Sequence, residues 1–89
     1  MISGFNALAR QFDELGKAAK ALDGDLATVT FDPSDPASVR AAVRDMERAV
    51  DQKVSRWRNN PLVAGMARQT KSAMRQDISK HARKARGAA

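Results

Sequence analysis

The apolar positions of the chain fall into stripes that have the period of an α-helix. In the first stripe, successive members are three or four residues apart; they are Phe5, Leu8, Phe12, Leu15, Ala19 and Leu22. This spacing places them on one side of a helix and is close to that of a coiled-coil seam. Ser3 is a favourable N-cap, and Gly24 can take the left-handed conformation that ends many helices. The pattern predicts a first helix at about residues 4–22.

The next segment has a different period. Between Asp25 and Phe31 the sequence DLATVTF alternates and is rich in β-branched residues, which is typical of extended chain. One strand without a partner is unstable in water. Residues 25–31 are therefore predicted to form an extended linker that places Phe31 in the core. Pairing with a copy of the segment in another subunit is the alternative.

Two further helices are predicted after proline-containing turns. Asp35 fits an N-cap and Pro36 a first helical position, so a second helix is expected at about 36–58. Its stripe is Val39, Val43, Met46, Val50, Val54 and Trp57. In the same way, Asn60 and Pro61 begin a third helix, predicted at about 61–84. Its thinner stripe is Val63, Ala67, Met74, Ile78 and Ala85. Its last turns past about Ile78 are expected to fray, and residues 87–89 to be a disordered tail.

Three helices that are each apolar on one side need one another for burial. The sequence therefore predicts an all-α single domain over residues 1–89, a small three-helix arrangement with one short extended segment between helices 1 and 2. A chain of 89 residues has a small core. Assembly into an oligomeric bundle stays open at this point.

The charge distribution adds a candidate surface. The net charge is +6; residues 1–67 hold nine basic and nine acidic residues, whereas residues 68–89 hold seven basic residues and one acid. All of the excess therefore lies on the predicted third helix. At 100° per residue, five cations are expected to cluster opposite its apolar stripe: Arg68, Lys71, Arg75, Arg83 and Arg86. Such a localised excess predicts a surface that meets an acidic partner.

Nucleic acid is narrowly favoured as that partner, because each Lys or Arg that neutralises a phosphate releases counterions. An acidic protein surface is the alternative, and so is a charged face that only keeps the helix in solution. Few aromatic residues are present to stack on bases. Trp57, flanked by Arg56 and Arg58, is a candidate interface residue. Its position on the second stripe favours a place at the edge of the core instead.

The chain offers little chemistry for catalysis. It has one His, no Cys and no Tyr, and its acidic residues lack the spacing of a metal site. We therefore predict a protein that is not an enzyme and that uses no cofactor or metal. No apolar run approaches the ~20 residues of a membrane span, and the first residues lack a signal-peptide core. A cytoplasmic protein without membrane binding is expected.

Two stretches, SGFNALARQFDELGKAAKALDG and FDPSDPASVRAAVRDMERAVDQKV, resemble small uncharacterised helical proteins encoded by bacteriophages and prophages. The resemblance lies in a short Ala- and Arg-rich chain, a first helix that stops at Gly, and a Pro-rich turn into a second helix. It implies binding rather than enzymatic work, in the host cytoplasm or the virion. It assigns no functional residue.

Together these features predict a phage-encoded interaction protein that docks an acidic partner through its basic third helix. One alternative is a phage structural or assembly protein that associates with its own copies through the first helix. A further alternative is an inhibitor that binds an acidic patch on a host protein.

Overall fold

In the computed structural model, which describes residues 2–23 and 30–87, the chain forms three α-helices. These are α1 (Ile2–Asp23), α2 (Pro36–Lys53) and α3 (Pro61–Gly87), and a 3-10 turn at Ser55–Trp57 joins α2 to α3. Within the two described ranges no β-strand occurs. The all-α prediction is confirmed. Residues 24–29, which contain most of the predicted extended segment 25–31, lie outside the described residues.

Two helix ends differ from the predicted positions. α2 ends at Lys53 and not near residue 58, because Val54 leaves the helical region with φ −108° and ψ 10°. The Ser55 hydroxyl then donates to the Gln52 carbonyl at 3.0 Å, which satisfies one of the free carbonyls at the helix end. α3 continues to Gly87, three residues beyond the predicted end at about 84, and residues 88–89 of the predicted tail lie outside the described residues. Packing holds this end: Ala82 is buried and lies beside Pro33 and Val39.

The turn before α2 is held by side-chain oxygens. Asp32 accepts hydrogen bonds from the Ser34 amide at 3.0 Å and the Ser34 hydroxyl at 2.7 Å. The Ser38 hydroxyl accepts from the Asp32 amide at 2.9 Å. Asp35 is the N-cap of α2, accepting from the Ala37 amide at 3.0 Å, as predicted. Each of these bonds fixes where α2 starts.

The core lies mainly between α2 and α3. Its largest fully buried side chains are Met46, Val50 and Val63. The two helices run antiparallel, since Asp51 of α2 meets Lys71 of α3 while Glu47, one turn earlier, meets Arg75, one turn later. Phe31, Trp57 and the other partly buried apolar residues pack around this pair.

Only the second half of α1 joins that core. Ala18 is fully buried, and Leu15 and Leu22 pack against the core. The predicted stripe is wrong in its finer detail, because Ala19 is exposed and Ala18 takes the inward position. The first members of the stripe, which are Phe5, Leu8 and Phe12, are exposed.

Asn60 explains why α1 is divided in this way. Its amide nitrogen donates to the Gln11 carbonyl at 3.1 Å and to the Glu14 carboxylate at 3.0 Å, so α3 begins beside the Gln11–Glu14 turn of α1. Because the residues after Glu14 pack along the bundle, α1 runs parallel to α3. Its residues 4–12, which we call the overhang, therefore extend past the end of the α2–α3 hairpin.

The dimensions of the molecule agree with this arrangement. The Cα principal extents are 61 × 18 × 18 Å, whereas the 27 residues of α3 account for about 40 Å. The radius of gyration is 16.4 Å, against roughly 12 Å for a compact domain of this length. The molecule is therefore an elongated bundle with the overhang at one end and the carboxyl end of α3 at the other.

Candidate interface for an acidic partner

The five cations predicted to form one surface are divided between two environments. All five belong to α3. Lys71 and Arg75 pair with acids of α2, although Arg75 is itself exposed, whereas Arg68 and Arg83 are exposed and have no ion pair among the described side chains. Arg86 is part of α3, but its side chain lies outside the described residues. Two of the five predicted cations are therefore paired within the fold, and the predicted basic face stays a prediction for the others.

The seam neutralises two of the cations. The Lys71 ammonium lies 2.9 Å from the Asp51 carboxylate, and the Arg75 guanidinium lies 3.2 Å from the Glu47 carboxylate. The Lys71 side chain is only 21% exposed. At 100° per residue, Lys71 and Arg75 lie beside the apolar stripe of α3 and not opposite it, as was predicted for them. Because these two positions on α3 face acidic residues of α2, the positive charges of Lys71 and Arg75 are paired within the protein.

Arg68 lies close to two other cations. It borders a shallow groove at the hairpin end, which Arg58 and Lys71 also line. Arg83 follows fifteen positions later in the sequence, which on a helix is about 22 Å away. One ligand surface would have to be long to contact both residues.

A tighter cluster lies at the far end of α3 and includes two residues that the sequence analysis did not select. Lys80, Arg83 and Lys84 are exposed and border one surface depression together with His81 and Asp77. Among the described side chains, none of the three cations is paired with a carboxylate. We call Lys80, Arg83 and Lys84 the distal basic cluster. Their spacing of three and four residues was a signal that could have identified them.

Helix α2 adds a second row of cations. Arg40, Arg44 and Arg48 are exposed and follow one another at intervals of four residues, which places them on one side of the helix. Arg40 borders the same small pocket as Ala82, so it lies beside the distal end of α3. Arg48 is 3.9 Å from Asp45, a distance and an exposure that make a weak pair.

The candidate interface at Trp57 lies at the other end of the hairpin. Trp57 is half-buried and packs against the core. The Arg56 guanidinium carbon lies 5.5 Å from its ring centroid, within the range of a cation–π contact. Arg56 and Arg58 are exposed. Trp57 therefore closes the edge of the core and shows only part of its ring to solvent.

The described part of the chain brings no three His, Asp or Glu residues into a group that could hold a metal ion. Over residues 2–23 and 30–87, no helix combines the length and the apolar character that crossing a bilayer requires. The features that remain are surfaces: the distal basic cluster, the α2 arginine row and the exposed overhang.

The fold and these surfaces define a small all-α bundle protein with exposed clusters of cations. The chain belongs to the YuaX family, since the family model described as YuaX matches residues 2–89. It is 32% identical over 77 residues to a protein of Escherichia coli (strain K12) described as "Uncharacterized protein YuaX". That match covers 86% of this chain and 79% of the relative. No solved structure matches the chain. The family is established, and the resemblance to phage-encoded proteins stays a prediction.

Proposed function

We propose that the protein is a non-enzymatic interaction protein that docks a nucleic-acid duplex through the distal basic cluster. One observation carries the proposal. Lys80, Arg83 and Lys84 are exposed and lie together on the last turns of α3, whereas Lys71 and Arg75 are already paired with acids of α2. The distal basic cluster is thus a compact group of exposed cations that a partner can reach.

The chemistry of a duplex suits this end. Its phosphates are closely spaced, and a cation that neutralises one releases condensed counterions. Three to four such contacts give a slope of about −2.7 to −3.6 in log K against log salt, so affinity falls roughly 40- to 150-fold between about 50 and 200 mM salt. No described side chain is placed as an evident reader of base edges. We therefore propose binding without strong sequence preference.

A phage or prophage origin and action in the cell cytoplasm belong to the same proposal. Their support is the resemblance of the α1 and α2 sequences to small phage proteins. An acidic protein surface is the second candidate partner, because carboxylates meet the same exposed ammonium and guanidinium groups.

The test compares two variants that lose the same charge. One replaces the distal basic cluster (Lys80→Gln, Arg83→Gln, Lys84→Gln), and the control replaces three cations of α1 (Arg10→Gln, Lys17→Gln, Lys20→Gln). All six positions are exposed, so both variants are expected to fold. Anisotropy of a labelled random-sequence duplex is followed from about 50 to 200 mM salt. The cluster variant is expected to lose about 2 to 3 from the salt slope, and the control close to nothing.

Two results would contradict the proposal. Absence of binding at about 50 mM salt would remove nucleic acid as the partner. An equal loss in both variants would show that only net charge matters and that the distal basic cluster is not a docking site. Binding of polyglutamate, with the same dependence on the cluster and without duplex binding, would favour the acidic protein partner.

A further inference from the structure

The overhang exposes a row of large apolar side chains. Phe5 is 72% exposed, Leu8 48% and Phe12 56%, although helix residues of this kind normally face a packing partner. The hairpin cannot cover Phe5 and Leu8, because α3 begins at the level of Gln11 and Glu14; Phe12 lies at that level but remains exposed. The row therefore extends beyond everything that the described chain packs against it.

We propose that the overhang binds the overhang of a second copy of this chain, as an antiparallel two-fold pair. The apolar row suits such a pair because it is self-complementary. Two phenylalanines flank one leucine, and the midpoint between Phe5 and Phe12 falls next to Leu8. Under a two-fold axis at that midpoint, each Phe5 lies opposite the partner copy's Phe12, while the two Leu8 side chains meet near the axis. Each copy thus presents the surface that the other requires.

Charge favours a second copy over a strongly charged partner. The overhang contains one charged residue, the exposed Arg10, and over the whole of α1 the three basic residues balance the three acidic ones. The distal basic cluster lies at the opposite end of the molecule, because α1 runs parallel to α3. An antiparallel pair through the overhangs therefore keeps the distal basic clusters of the two copies far apart.

The size of the surface sets the strength of the pair. A phenylalanine contributes about 150–250 Å², so at the observed exposures the three side chains offer on the order of 300 Å² per copy. Even with the flanking residues, the interface stays below the ~1,200 Å² of standard stable complexes. The dimer is therefore expected to be a weak one, and chain concentrations from about 10 μM to about 1 mM bracket a Kd on the order of 0.1 mM.

Sedimentation equilibrium over that concentration range tests the association. The unmodified chain is expected to approach twice its monomer mass at the highest concentration. The variant Phe5→Ser, Leu8→Ser is expected to stay monomeric. The matched control Asn6→Ser, Ala7→Ser lies in the same turns on the other side of the helix and is expected to dimerise. All four positions are exposed, so the bundle is expected to fold in each variant, which circular dichroism verifies.

Cysteine cross-linking tests the orientation, and the chain has no native Cys to interfere. Leu8→Cys is expected to form a disulfide-linked dimer, because equivalent residues meet only near a two-fold axis. Phe5→Cys is expected to cross-link with Phe12→Cys when the two variants are mixed, and poorly with itself. Ala19→Cys, exposed on the packed half of α1, is the negative control.

Three results would overturn the inference. They are a monomer at about 1 mM, a dimer that Phe5→Ser, Leu8→Ser leaves intact, and a Phe5→Cys chain that cross-links with itself as readily as with Phe12→Cys. The first two exclude the overhang as a self-association surface. The third excludes the antiparallel arrangement.

Discussion

Replacing Asn60 by alanine is expected to destabilise the protein far more than a change at a loop residue normally does. Asn60 is 5% exposed and uses both ends of its amide. Its oxygen accepts from the Leu62 amide at 2.9 Å and the Val63 amide at 3.3 Å, which caps α3. Its nitrogen donates to the Gln11 carbonyl and the Glu14 carboxylate of α1. The Asn60 side chain thus caps α3 and also links α1 to it.

The expected loss in the free energy of unfolding is the sum of the contributions of the α3 cap and of the contact to α1. Loss of an N-cap costs about 1 kcal/mol, and loss of a partly buried hydrogen bond to a charged acceptor costs about 1.5 kcal/mol more. The Gln11 carbonyl, which already lies within a helix, adds little. Asn60→Ala is therefore expected to lower the free energy of unfolding by about 2 to 3 kcal/mol. For a domain of this size the midpoint of thermal unfolding then falls by about 10–20 °C.

Urea unfolding followed by circular dichroism measures the effect. Asn60→Ser keeps a capping oxygen but cannot reach α1, so it should lose only the second contribution, about 1 to 2 kcal/mol. Asn59→Ala, at the exposed neighbouring position, should stay within about 0.5 kcal/mol of the parent. If either Asn60→Ala or Asn60→Ser stayed within about 0.5 kcal/mol of the parent, the proposed link between α1 and α3 would be refuted.

Two further expectations concern electrostatics. Changing Asp51→Asn together with Glu47→Gln releases Lys71 and Arg75 from the seam; duplex binding should gain up to about 2 in salt slope, while the exposed pairs cost at most about 1 kcal/mol each. An unchanged slope would mean that the seam lies away from the bound duplex. The hydrogen bond from the Ser34 hydroxyl, followed by that from the Ser34 amide, holds the pKa of the Asp32 carboxyl below its usual value. The lowered pKa contributes stability above the unfolded-state pKa, and this stability disappears as the pH falls through the folded pKa. Ser34→Ala should raise the pKa of Asp32 in an NMR titration, and a pKa that does not move would contradict the assignment.

The pattern of apolar residues predicted the architecture because helical period and capping residues are local signals. Asp35 and Pro36 identified the start of α2 correctly, and Pro61 that of α3. The end of α3 was predicted too early because it depends on tertiary packing. Ala82 is buried against the turn before α2, and this contact joins residues far apart in sequence. The helix propensity of the last turns of α3 does not depend on that contact, so local sequence could not predict it.

The candidate site was predicted less completely. Net charge located the basic excess at the correct end, because composition does not depend on folding. It could not show that Lys71 and Arg75 face Glu47 and Asp51, since that depends on how α2 and α3 are aligned. It also gave no reason to separate Phe5 from Leu15, because both lie on one stripe and only the level at which α3 begins divides them.

The elongated shape has a practical consequence for work in solution. A particle of 61 × 18 × 18 Å diffuses more slowly than a sphere of equal mass. On a size-exclusion column calibrated with compact standards, the single chain will elute early, at a volume where a compact protein of larger mass is expected. Elution volume alone would therefore report an oligomer for the monomer, and a change in that volume with concentration, rather than its absolute value, is the quantity to interpret.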